Sequence, residues 1–164
     1  MRVSLRNVLP VTLVPILSQP LPGVSADQIA WTPEQQEIID LMQDGPIGLE
    51  ENFAEWAARY HPDWSYWELG TDNIRPHDEH MDRVRNYIES GARVVEFDLQ
   101  PVYVAVRGET ALIRFKAVEK IVEPGGDTID VRFSSASVLL KEDEEWKLFA
   151  TNIYYPPDAQ AAEN

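Results

Sequence analysis

The sequence predicts an α+β domain in which helices come first and an antiparallel sheet follows. Two observations carry this. From Val94 to Tyr155, long runs alternate apolar and polar residues, are rich in β-branched and aromatic side chains, and are punctuated by Gly and Pro. That is the pattern of an antiparallel meander. Before it, the apolar residues recur with helical spacing, interrupted by one short aromatic segment. A sheet with one apolar face must bury it, and the preceding helices are what the chain offers as cover. There is no internal repeat, and 164 residues suffice for one domain with a real core.

Residues 1–26 differ from all that follows. Arg2 and Arg6 are their only charges, the apolar run Val8 to Leu17 comes next, and Val24-Ser25-Ala26 is a small-residue ending of the type cut by signal peptidase. This segment reads as a signal peptide, with a periplasmic or secreted location for the mature chain. Pro10 and Pro15 weaken the short helix such a segment forms, and the competing reading is a disordered N-terminal arm. The domain is expected over 27–157, with 158–164 as a disordered tail.

Thr32-Pro33-Glu34 opens the first helix: Thr32 as N-cap, Pro33 at the first helical position, an acid near the positive end. Ile38, Leu41 and Met42 form its apolar stripe and Gly45-Pro46 stops it. The second helix is expected from Leu49 to Tyr60, with Phe53, Trp56, Ala57 and Tyr60 on one face, ended by His61-Pro62. Asp63 to Leu69 is a short aromatic strand, and Thr71 to Arg75 a loop. Pro76 starts a third helix running to Ser90, with Met81, Val84 and Ile88 on its buried side and Gly91 as its stop.

The meander then takes Val94 to Val106, with Pro101 as the place for a bend. After Arg107-Gly108-Glu109 come Ala111 to Val118, Ile129 to Leu140 and Trp146 to Tyr155. Around the last turn Val138, Leu140, Trp146, Leu148 and Ala150 share a parity that reads as buried. Carried outward, it turns Arg132, Ser134, Asn152 and Tyr154 toward the interior. Ile113, Phe115 and Ala117 point inward on the strand before, with Arg114 and Lys116 facing water.

Composition excludes several function classes. The formal charge of −14 argues against nucleic acid and against an anionic membrane surface. No stretch approaches the roughly 18 apolar residues of a membrane span. With no cysteine there is neither a disulfide framework nor a thiolate. Gly125-Gly126 lies in a hairpin and opens no helix, and Ser134, Ser135 and Ser137 lie in a strand and not at an elbow, so neither a nucleotide site nor a serine hydrolase is indicated. No cofactor is expected. His77 and His80 have i, i+3 spacing at a helix start, but without a clear third ligand they read as a solvated face and no metal is assigned.

The element order, the Tyr60-His61-Pro62-Asp63 end of the second helix and the hairpin with Trp146-Lys147-Leu148 give a resemblance. Over Trp31 to Tyr155 the chain resembles the nuclear transport factor 2-like superfamily, in particular its SnoaL-like branch. The resemblance implies a curved sheet wrapped around the helices as a cone whose open end is a pocket. Relatives include ketosteroid isomerase, scytalone dehydratase, limonene epoxide hydrolase and polyketide cyclases, beside many non-catalytic binding domains. Asn152 stands where many relatives carry a histidine, and Ser134 near where they carry an arginine.

The function expected is binding of a small, largely apolar organic molecule. If chemistry accompanies it, cofactor-free isomerisation, elimination or hydrolysis is the class. Asp63 is the candidate base, because Trp64, Tyr66 and Trp67 beside it would desolvate its carboxylate; the competing and favoured reading is a local turn hydrogen bond after Pro62. His61 is an acid/base partner or a helix-terminal cation, and Tyr60 a hydrogen-bond donor or core packing. Trp56, Trp64, Tyr66, Trp67, Phe115, Arg132, Ser134, Asn152 and Tyr154 are the expected ligand-lining set. The alternative is a non-catalytic binding or dimerisation module, with Tyr103, Val104 or Phe149 presenting the outer face of a homodimer.

Overall fold

The computed structural model describes residues 30–157. The expected signal peptide (1–26) and tail (158–164) lie outside the described residues. The chain forms α1 (Pro33–Gln43), α2 (Leu49–Ala57), β1 (Tyr60–Glu68), β2 (Ile74–Pro76), α3 (His77–Glu89), β3 (Arg93–Arg107), β4 (Thr110–Val122), β5 (Thr128–Glu142) and β6 (Glu145–Tyr154). The fold is α+β, three helices packed on one face of a curved six-stranded sheet in the order β2-β1-β6-β5-β4-β3.

α1 begins where expected. Thr32 Oγ1 accepts the Gln35 N–H at 3.3 Å and Gln35 Oε1 accepts the Thr32 N–H at 2.9 Å, a reciprocal cap. The same Gln35 donates through Nε2 to the Val104 carbonyl at 2.8 Å and pins the helix to the sheet, while Ile38 and Ile39 are buried beneath it. α2 is shorter than expected: it stops at Ala57, and Tyr60 opens β1. The residue before a proline avoids helical geometry, so His61 is extended and the strand begins one residue earlier still. Thr71 to Arg75 is not wholly loop, because Ile74–Pro76 pairs with Ser65–Trp67.

β3 to β6 are the expected antiparallel meander. β1 joins it parallel to β6, so the sheet is mixed. Along this pair Tyr60 lies opposite Leu148 and Ser65 opposite Ala150, so β1 bulges between them, where Pro62 has no N–H to give. β3 bends between Pro101 and Tyr103, near the proline that marks the place. That bend turns Val104 into the core at 3% exposure, overturning its expected place on the outer face.

The parity expected for β5 is reversed along the strand, Val138 and Leu140 included, and that for β6 is reversed from Ala150 onward. The turn is two residues long, Asp143 and Glu144 both at positive φ, and makes Lys141 the partner of Trp146. Phe133, Ser135, Ser137 and Leu139 therefore face inward, and Arg132 and Ser134 outward. On β6, Trp146 and Leu148 are buried as expected. Leu139 pairs with Leu148 but Val138 with Ala150, so Phe149 is an extra residue. Past this bulge Thr151 and Ile153 point inward, and Asn152 and Tyr154 turn out. The inward row of β4 is as expected, Ile113, Phe115 and Ala117, with Arg114 and Lys116 exposed.

Candidate active site

The concave sheet face, α3 and the α1–α2 link enclose a cavity of about 320 Å³. Its wall is a continuous run of rings. Trp56 meets Tyr60 at 4.7 Å, Tyr60 meets Trp64 edge-on at 4.9 Å, and His80 lies 5.0 Å from Trp64 and stacks on Tyr66 at 4.6 Å between centroids. The Tyr66 and Tyr155 hydroxyls are 3.2 Å apart, and Tyr155 leads through Phe133 to Phe115. Strand alternation places Trp64, Tyr66, Phe115 and Phe133 on one face of three strands, and helical spacing adds His80, Val84, Tyr87 and Ile88 from α3.

A chain of hydroxyls crosses one side of this wall. Trp64 Nε1 donates to Thr151 Oγ1 at 3.1 Å, Thr151 Oγ1 and Ser137 Oγ are 3.3 Å apart, and Ser135 Oγ donates to the Asn152 carbonyl at 3.2 Å. These groups satisfy one another and hold the strands in place.

Glu119 is the carboxylic acid in the lining. It follows Phe115 and Ala117 on the inward row of β4 and makes neither a hydrogen bond nor an ion pair among the described residues. Burial without a compensating cation lifts its pKa from 4.5 to about 7. Its negative charge is among the causes that raise the Tyr60, Tyr87 and Tyr155 hydroxyls, each already raised chiefly by burial. The acid therefore stands within electrostatic reach of three phenols. Tyr87 donates to Glu123 at 2.7 Å.

His80 is the second ionisable group missed by the sequence reading, which placed it on a solvated face. Burial, then the positive charges of Arg75 and Arg83, bring its pKa down to about 4, so the imidazole is neutral at pH 7. Its Nδ1 is buried with no partner. His77 is apart from it, bound to Asp78 at 2.8 Å. Among the described residues no group of three His, Asp or Glu side chains converges on a metal position.

The structure divides the expected site residues. Tyr60, Trp56, Trp64, Tyr66 and Phe115 line the cavity. Asp63 does not: its side chain is 83% exposed, on the bulge that Pro62 forces out of β1, and no aromatic wall desolvates it. Its N–H donates to His61 Nδ1 at 3.0 Å, a local turn bond. His61 also lies outside the lining, bound through Nε2 to Glu142 at 3.2 Å and edge-on to Phe149. Trp67 faces out and donates to the Thr71 carbonyl at 2.9 Å. Arg132, Ser134, Asn152 and Tyr154 sit on the outer sheet face for the reasons of turn and bulge given above.

A carboxyl that titrates near neutrality can take and return a proton at physiological pH. In the Tyr66–Tyr155 pair one hydroxyl donates to the other, which leaves the second proton for an oxygen in the cavity. Base and donors thus share one largely apolar cavity.

No family model matches the chain, and no curated protein matches it. Solved structures do, and they show its fold. An NTF2-like protein of unknown function from Prochlorococcus marinus is 13% identical, with a TM-score of 0.62 over 76% of this chain and 94% of that one. A ketosteroid isomerase-like protein from Erwinia carotovora atroseptica is 13% identical, with a TM-score of 0.59 over 76% and 98% of the two chains. An NTF2-like protein from Cytophaga hutchinsonii is 15% identical, with a TM-score of 0.61 over 76% and 100%. The chain has the NTF2-like, cystatin-like α+β fold.

Proposed function

We propose that the cavity binds a small, largely apolar organic molecule and that the chain is a cofactor-independent proton-transfer enzyme: an isomerase, lyase or hydrolase. The observation that carries this is Glu119, an unpaired carboxyl facing an aromatic cavity with its pKa moved to about 7. It takes over the role the sequence assigned to Asp63.

In this reading the Glu119 carboxylate removes a proton from carbon next to a carbonyl. The negative charge that develops on the carbonyl oxygen is met by a hydroxyl of the Tyr66–Tyr155 pair or by Tyr60. The protonated Glu119 then returns the proton at another carbon, or a leaving group departs from the β position. Water exclusion by the aromatic walls strengthens each of these interactions.

The test is solvent deuterium incorporation into a panel of small cyclic ketones and enones, followed by NMR. The wild-type chain should exchange the α protons of at least one member, with a rate that rises with pH through about 7 as Glu119 loses its proton. Glu119→Gln should lower that rate by about 100-fold or more, while Asp63→Asn leaves it unchanged. Exchange by Glu119→Gln at the wild-type rate would sink the assignment. Saturable binding of the panel with no exchange would support a non-catalytic ligand-binding module instead.

Two wider parts of this reading concern the whole chain. The apolar run Val8 to Leu17 with its Val24-Ser25-Ala26 ending supports export of the mature protein to a periplasmic or extracellular location. The exposed Val102, Tyr103 and Tyr154, at 54%, 47% and 44%, support the outer sheet face as a homodimer contact.

A further inference from the structure

We infer that the ligand of the cavity is an organic cation: a quaternary ammonium, or a protonated amine with an apolar coat, held over the rings with Glu119 as its counter-ion. This rests on reading the cavity as a ligand site, and not on turnover there.

The charge inventory of the cavity has one sign. The lining contains a carboxylic acid but neither lysine nor arginine. The one basic lining group, His80, is neutral at pH 7. The rest of the wall combines aliphatic side chains and three hydroxyl residues with aromatic rings, whose faces are the negative part of their quadrupole. An anionic ligand would meet repulsion and no donor cation. A neutral one would fill the space yet leave Glu119 as it is, desolvated and unpaired.

A cation bearing its own methyl or methylene groups resolves both features. It loses little hydration on entry, is attracted to the ring faces, and supplies the charge that burial of Glu119 lacks. Trp56, Tyr60, Trp64 and Tyr155 bring rings to the cavity wall from α2, β1 and the segment after β6, and these are the surfaces a cation would meet. Tyr66 is not among them, because Arg75 lies over its ring at 4.9 Å and His80 stacks on it at 4.6 Å. A bare metal ion does not fit, because the wall offers too few oxygens to replace its water.

The charged groups around the cavity do not undo this balance. Arg75 lies 4.9 Å from the Tyr66 ring centre but outside the lining, paired with Glu68 at 3.5 Å. Arg59, near Tyr60, sits 3.8 Å from Asp44. Arg83 and His77 act on His80 from α3, and Glu123 binds Tyr87. The overall charge of −14 draws cations toward the molecule from a distance.

The experiment is calorimetric titration of the full chain with choline and with 3,3-dimethylbutan-1-ol, its neutral isostere of the same shape; benzyltrimethylammonium serves as a larger cation. At pH 8 the better of the two cations should bind at least tenfold more tightly than the neutral isostere. Glu119→Gln should remove most of that preference while leaving affinity for the neutral alcohol unchanged. A second measurement needs no variant: from pH 8 to pH 6 cation affinity should fall about tenfold as Glu119 takes up its proton, with the alcohol unaffected.

Equal affinity for cation and isostere, failure of both cations to saturate, or a cation affinity flat in pH would each overturn the inference. These probes carry no carbonyl, so the outcome is independent of the exchange test. A cavity that exchanges ketone protons but ignores charge leaves the proposed function standing without this ligand. One that selects cations but shows no role for Glu119 in exchange does the reverse.

Discussion

Glu119 costs the folded chain stability in proportion to how fully it ionises. The unfolded chain gives up this proton near 4.5, whereas the folded chain holds it to about 7. A raised acid pKa favours the protonated fold, so stability is undiminished below about pH 4.5, falls through the interval, and is lowest above pH 7. The difference amounts to about 3 kcal/mol. Glu119→Gln should therefore be the more stable protein at pH 8 by an amount of that order, with the gap closing toward pH 4. Urea denaturation at the two pH values reads this, and a gap independent of pH would contradict it. His80 works from the other side. Its folded pKa of about 4 lies below the ordinary 6.5, so its contribution is complete above pH 6.5 and is lost as pH falls through 4.

At the scale of elements, the α1–α2 link decides the shape of one cavity wall. Gly45 adopts φ of +28°, and a Cβ built there would lie 2.5 Å from Cδ1 of Phe97, a cavity-lining ring on β3. Gly45→Ala should displace Phe97 and cost about 1–3 kcal/mol from overpacking, more than Gly125→Ala, where φ is not positive and the added methyl meets nothing within 4 Å. Equal shifts of the two urea midpoints would show that the link gives way freely. The ends of α1 and α3 were legible in the sequence because Thr32-Pro33 and Gly91 carry local chemistry. The faces of β5 and β6 were not, because a two-residue turn and an extra residue at Phe149 are matters of register. Glu119 was within reach of the sequence: it extends the odd-numbered inward row of β4 by one step beyond Ala117. His80 likewise precedes Val84 by four residues. Both were passed over because ionisable side chains usually face water.

For the whole molecule, export and pairing meet in one measurement. A full-length chain with a C-terminal tag, recovered from outside the cytoplasm, should begin at Asp27, and light scattering at micromolar concentration should give twice the mass of that chain. An intact Met1 terminus would refute cleavage, and a single-chain mass would refute the dimer. No helix among the described residues is long and apolar enough to cross a membrane.

The parallel pairing of β1 with β6 also orders events in time. The ribosome delivers Trp64 and Tyr66 before the midpoint of synthesis, but their neighbouring strand, and with it Thr151, Ile153 and Tyr155, is nearly the last segment made. Until that strand emerges, β1 has no long partner and the cavity has no floor. A chain drawn through a translocation pore while still being made would carry no finished binding site that had to be pulled apart, and it would gain one only on the far side.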